Sequence, residues 1–338
     1  MTATAKQLIK LLIRILITAG LLIWVFSQVD FEQFLQTIKS ARWQFLIAVW
    51  IFTVILFWIR SIKMRLILKK QSCLISTNTI FGATAATCLY SMILPGILST
   101  GVKWYILKKG TGKSSNVLCS MIYNQWLIMT IMMVFGLAAL MFTNPASLSI
   151  SNTTNQRLFP AVCGILLVAI IAVSLLLLNS RTGGKITKAI AVLLRPLPAK
   201  IQQKGLEVLD QIATFQTAGA GFHLRITAIS ISDTLIGGVI VYILSARAAN
   251  VNAPVGTFVW LCALIYILGR VPVSIANLGV REAMLVVLLA PYGVEKPQAL
   301  LMSMILFSAL IVMAVIGAGF QIFWTLTAKK SNPPINNA

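Results

Sequence analysis

Apolar runs of bilayer-spanning length recur along this chain, at residues 8–26, 43–59, 115–142, 158–178, 224–244 and 298–326. A helix needs roughly 20 apolar residues to cross a hydrocarbon core of about 30 Å. Hydrophobic residues make up 58% of the 338 and charged residues 10%, and the mean hydropathy is +0.91. A soluble domain of this size has no interior large enough for so much apolar surface, so lipid is the solvent for much of the chain. The expected fold class is an all-α polytopic membrane protein.

Two further apolar regions, 80–107 and 255–290, are interrupted. The first contains "LPGILSTGVKW" and the second "RVPVSIANLGVREA", which share a Pro, then a Gly, a Val and a cation: Pro95, Gly101, Lys103 and Pro272, Gly279, Arg281. Proline cannot donate a backbone hydrogen bond and ends a helix near the residue before it. Gly96, Gly101 and Gly279 permit the turn that follows. The arms are short: a 15-residue segment from 80 to 94 is about 22 Å of helix at ~1.5 Å per residue, less than a full crossing.

Charge decides how these regions sit. The net charge is +21, from 28 Lys and Arg against 7 Asp and Glu. If each broken region crossed fully, eleven cations, in the segments around 103–113 and 181–225, would fall on the outer face, against the positive-inside rule. If each enters and returns on one side, twenty-one cations lie inside. Only Lys39, Arg42, Arg157, Arg247 and Lys296 then lie outside, with Arg270 and Arg281 inside the second hairpin. The count favours re-entrant hairpins and places both termini on the cytoplasmic side of a bacterial inner membrane. The order of elements then repeats as span, span, hairpin, span. Residues 1–145 and 158–330 form two membrane repeats, joined by an external linker at 146–157. The first repeat crosses three times, so the second begins from the opposite face. The expectation is an inverted-topology repeat with six full spans and two re-entrant hairpins. Corresponding broken segments are the best sequence pointer to a transport site.

The remaining features exclude other classes. The cations sit at the ends of apolar runs, as anionic headgroups favour, and no polar basic domain exists to bind nucleic acid. Cys73, Cys88, Cys119, Cys163 and Cys262 are scattered, and His223 is the only histidine, so neither a metal site nor a cofactor is expected. No nucleophile–base pair, catalytic carboxylate pair or Gly-rich phosphate loop appears, and the expected protein is not an enzyme. The basic, apolar N-terminus lacks a small-residue cleavage pattern and reads as a retained span. Phe31, Phe34, Leu35 and Ile38 predict a short interfacial helix, and Ile201, Leu206, Leu209, Ile212 and Phe215 a second surface helix.

Non-helical backbone within a membrane is tolerated only where protein buries it or a wet cavity receives it. Two hairpin tips from opposite faces would meet near the midplane. The helix starts beyond the breaks would aim amide N–H groups there, which favours anions. Lys103, Arg270 and Arg281 add full charges, and Ser274 and Asn277 add polar groups. These five form the candidate site for an anionic lipid headgroup. A cation at bilayer depth costs at least ~2.5–3.5 kcal/mol, so it needs a partner or a functional role. Glu282 and Asp233 are the buried acids that could pair with either arginine. A closed ion-pair network locking the hairpin in place is the competing reading of the same residues. For Lys103 the competing reading is snorkelling beside Trp104 and Tyr105. Tyr123, Asn124 and Gln125 could line a polar path or simply bridge helices.

"VPVSIANLGVREAMLVVLLAPYGV" resembles the late signature of the lysylphosphatidylglycerol synthase transmembrane region, a flippase-like family: a Pro, small residues, Gly-x-Arg-Glu, then an apolar helix and a Gly. "SMILPGILSTGVKWYILKKG" resembles the earlier Leu-Pro-Gly break of that family, and "FWIRSIKMRLILKK" the basic end of its second span. The likeness covers essentially the whole chain. It implies a lipid flippase similar to the membrane half of bacterial multiple-peptide-resistance proteins. The soluble aminoacyl transferase joined to that half is not part of the likeness, so lysyl transfer is not implied. Family members often carry an acidic–Arg pair where this chain has Asn124 and Gln125. The leading expectation is a protein that binds or moves an anionic lipid or lipid-linked intermediate. A scaffold for a glycosyltransferase or other envelope enzyme, docked on the 181–225 loop, and a small-solute transporter are the alternatives.

Overall fold

A computed structural model of the protein describes residues 31–92, 96–149, 153–179, 182–185, 191–192, 199–270 and 277–331. The expected first span at 8–26, Pro95, Pro272 and Ser274 lie outside the described residues. The described residues are helical, with no strand among them. The elements are α1 (Phe31–Lys39), α2 (Trp43–Lys70), α3 (Thr77–Ser91), α4 (Gly96–Thr111), α5 (Ser114–Thr143) and α6 (Thr153–Leu178). They continue with α7 (Ala199–Gln216), α8 (Ala220–Ala248), α9 (Val255–Leu268), α10 (Val280–Leu289) and α11 (Lys296–Ser331). Five of them, α2, α5, α6, α8 and α11, are long and apolar enough to cross a membrane. The chain is therefore a multi-pass, all-helical membrane protein.

Both interrupted regions divide into two short helices near their prolines. α3 and α4 have 15 and 16 residues, and α9 and α10 have 14 and 10. At ~1.5 Å per residue none of the four reaches 30 Å. The members of each pair pack on one another. Gly96 opens α4 and Gly101 lies one turn further along the same helix. Gly279 stands at the N-terminus of α10 with φ 83°, a left-handed conformation open to glycine at little cost.

The helix contacts follow a reciprocal pattern. α3 lies chiefly on α11, and α9 lies chiefly on α5. The short helix α1 docks on α11, and α7 docks on α5. The long helices α2 and α8 pack on each other. Small residues set the two main seams, as lipid-embedded helices prefer. A methyl group added at Gly317 of α11 would collide with the Ala85 carbonyl of α3, and one added at Gly136 of α5 would meet the Ala263 side chain of α9. The first obstacle is backbone and cannot rotate away. Gly317→Ala is expected to destabilise the protein by about 1–3 kcal/mol, read as a lowered thermal midpoint in detergent, with Gly319→Ala, which meets nothing, as the neutral control.

Helix α2 runs to Lys70, eleven residues beyond the apolar run at 43–59 that predicts it. It carries Arg60 and Lys63 with it and buries Met64, Ile67 and Leu68. α8 contains a π-helical stretch, Leu235–Ile240, that begins just after the buried residues Asp233 and Thr234. Such bulges are frequent at functional sites.

Candidate functional site

Two apolar helices bring opposite charges together deep in the bundle. Arg60 and Lys63 stand three residues apart on one face of α2, and that helix packs on α8. Asp233 of α8 meets both. Arg60 Nε donates to Oδ1 at 2.8 Å and Lys63 Nζ to Oδ2 at 2.8 Å. The Lys63 side chain is fully buried and that of Asp233 is 2% exposed, whereas Arg60 keeps 26% exposure. Asp233 thus partners cations of α2, and neither Arg270 nor Arg281 is among its partners. Two cations share one carboxylate, so the cluster carries excess positive charge.

A second cluster is built by the sequence Gly279-Val280-Arg281-Glu282. The turn at Gly279 starts α10, and the Glu282 side chain folds back so that the Gly279 N–H donates to Oε2 at 2.7 Å. A carboxylate at this position also meets the positive end of the helix dipole. The other oxygen, Oε1, accepts from Arg281 Nη2 at 2.7 Å and from Ser303 Oγ of α11 at 2.8 Å. Arg281 Nε donates to the same Ser303 hydroxyl at 2.7 Å. Arg281 and Glu282 are both buried. In this motif the glycine turns the chain, the glutamate caps the helix and neutralises charge, and the arginine is held at a fixed orientation.

Between the clusters lies a cavity of about 390 Å³. Its wall includes Arg60 from α2, Arg270 and Asn277 from the second break, Arg281 from α10, and Tyr242 and Tyr266. Asn277, with φ 59°, lies against Gly269 and leaves no room there for a side chain. Arg270 stacks on the Tyr266 ring, 4.5 Å from its centroid, and donates to its hydroxyl at 2.5 Å. Gln125 of α5 donates to the same hydroxyl at 3.3 Å. Arg270 has no carboxylate partner among the described residues. Lys103 of α4 also has none there, and it is not in the cavity wall. Three guanidinium groups, those of Arg60, Arg270 and Arg281, line the cavity, while the carboxylates of Asp233 and Glu282 are already shared with Lys63 and Ser303. Arg270 thus holds an unpaired charge at the wall, which suits an anionic guest.

Tyr123 and His223 lie elsewhere. The Tyr123 hydroxyl bonds to His223 Nδ1 at 2.9 Å, His223 Nε2 bonds to the Phe215 carbonyl at 2.9 Å, and the Tyr123 and Phe215 rings stack at 4.3 Å. This cluster pins the surface helix α7 to α5 and α8. The Asn124 side-chain amide oxygen is buried and has no hydrogen-bond partner among the described residues.

The family model for the lysylphosphatidylglycerol synthase TM region matches residues 11–319. The chain belongs to that family. Comparison with curated proteins and with solved structures finds no match. In this member of the lysylphosphatidylglycerol synthase transmembrane family, the Gly-x-Arg-Glu signature is a capped helix start that presents an arginine to the cavity. Gln125 occupies one of the positions where relatives are expected to hold an acidic–Arg pair, and it reaches the cavity through Tyr266.

Of the residues that the sequence singles out, Arg270, Arg281 and Asn277 converge on the cavity. Arg60, Lys63 and Tyr266 are absent from the sequence-based site, and by local pattern the first two are cytoplasmic-end charges. The available signal is their three-residue spacing inside an apolar pattern that continues through Leu68, which keeps both on one helix face.

Proposed function

We propose that the protein binds an anionic phospholipid, or a lipid-linked envelope intermediate with a phosphate-bearing headgroup, and carries it between leaflets. One observation bears most of the weight: the excess of cations over carboxylates around a cavity where broken helices meet the second spans. A phosphodiester supplies the missing negative charge and matches guanidinium geometry. The lipid tails would remain in the bilayer beside the helices. The reciprocal packing of the halves supports an inverted repeat with two re-entrant hairpins. In such a fold, rocking one half against the other opens a midplane site to each face in turn. The charge count supports a cytoplasmic-membrane orientation with both termini inside. No bond is made or broken in this reading.

Arg270 is the residue to test, because it is exposed and has no carboxylate partner among the described residues. Arg270→Gln is expected to lower translocation of headgroup-labelled anionic lipid in proteoliposomes by at least about tenfold, the loss of one charge-assisted contact, with the thermal midpoint unchanged. Wild-type translocation rates in the variant would refute the site. Arg281→Ala is a poorer probe, since it would strand the buried Glu282.

A further inference from the structure

The end of the bundle where α2 begins and α8 finishes carries a separate cleft of about 300 Å³. Arg42, just ahead of α2, and Arg247, in the last turn of α8, both line it, together with Asn250 and Asn252. Among the described residues no carboxylate is in its lining. Both arginines are exposed, and among the described residues neither side chain has a hydrogen-bond or ion-pair partner. The positive-inside rule makes cations scarce on the outer face, which is where this end falls in the charge reading. Two of the few that remain nevertheless meet in one cleft, one from each half of the chain.

The backbone around them is tied down. The Arg42 N–H donates to the Ala248 carbonyl at 3.1 Å, and Asn250 Nδ2 donates to the Ser40 carbonyl at 3.1 Å. Asn250 turns the chain in the left-handed region, φ 54°, and the Val251 N–H closes back on the Ala246 carbonyl at 2.8 Å. The segments that bear the two arginines are therefore cross-linked to each other, so binding does not have to order the loop between them, and only the side chains are immobilised.

We propose that this cleft is a second anion site, specific for a phosphate group gripped by Arg42 and Arg247 with the Asn252 amide as a further donor. The phosphate is carried either by a lipid headgroup at that face or by a soluble oxyanion. The site stands apart from the central cavity, shares no lining residue with it, and does not require that cavity to transport.

The test uses the full chain in detergent, titrated calorimetrically with short-chain phosphatidylglycerol and, separately, with inorganic phosphate. The expected result is that R42Q/R247Q loses one binding event or weakens it at least about tenfold, that R42K/R247K retains most of it, and that Arg270→Gln leaves it in place. Loss confined to phosphatidylglycerol identifies a lipid headgroup, and loss with both ligands identifies an oxyanion whatever its carrier. Wild-type affinity and stoichiometry for both ligands in R42Q/R247Q, or no binding by the wild type, would overturn the proposal. Failure of the central-cavity reading is read separately, from Arg270→Gln.

Discussion

Asp233→Ala is expected to destabilise the folded protein by about 3–5 kcal/mol, the cost of leaving a buried charge without its partner. Lys63 is the reason. Its side chain is fully buried, its amine touches one carboxylate oxygen, and the stretch of α2 that carries it also buries Met64 and Ile67. Arg60 suffers less, because it is partly exposed and borders the cavity. The same argument predicts a rescue. In the Lys63→Met/Asp233→Leu double variant the buried lysine and its carboxylate leave together, packing replaces them, and the loss should shrink to about 1–2 kcal/mol, what remains coming from the partly exposed Arg60 left without its partner. Denaturant or thermal unfolding in detergent measures both. An Asp233→Ala protein as stable as the wild type would mean that Lys63 and Asp233 do not meet in the bilayer interior.

The second large effect belongs to Glu282. Glu282→Ala removes the partner of Arg281, the acceptor for Ser303 and the acceptor for the Gly279 N–H in one step. The expected loss is again about 3–5 kcal/mol for the stranded arginine, with a further ~1 kcal/mol for the helix cap. Ser303→Ala removes only the neutral member of the triad and should cost about 1 kcal/mol. Arg281→Met/Glu282→Gln should recover stability but not anion binding, because the cavity then lacks one of its guanidinium groups. That separation of stability from binding distinguishes an arginine held for a ligand from one that merely locks the hairpin. Equal anion affinity in the double variant would favour the lock.

Five of the six apolar runs, the two interruptions and both short amphipathic helices are legible in the sequence, because each leaves a local pattern. Gly279, Arg281 and Glu282 are legible for the same reason: a capped helix start is written within four residues. The partner of Asp233 is not. A charge at position 60 ends an apolar run by any local rule, yet α2 continues through it, and an aspartate far along the chain pairs with both Arg60 and Lys63. Without that contact the run reads as finished at 59, and the two cations read as headgroup anchors. Tyr266 is invisible because an aromatic in an apolar helix ordinarily packs; only the fold shows Arg270 lying on its ring. The π-helical stretch at Leu235–Ile240 likewise has no sequence signature beyond its glycines. The reciprocal contacts, α3 on α11 and α9 on α5, belong to the tertiary structure alone, since the charge count and the Pro-to-cation echo suggest a repeat but not which helices touch.

Mass spectrometry of the lipids retained by the gently purified full chain tests the central reading most directly. Phosphate-bearing anionic lipid should be retained above its share of the surrounding membrane by the wild type, and Arg270→Gln should lose that enrichment while remaining folded. A wild type that holds anionic and zwitterionic lipids in membrane proportion, unchanged by the substitution, would contradict it.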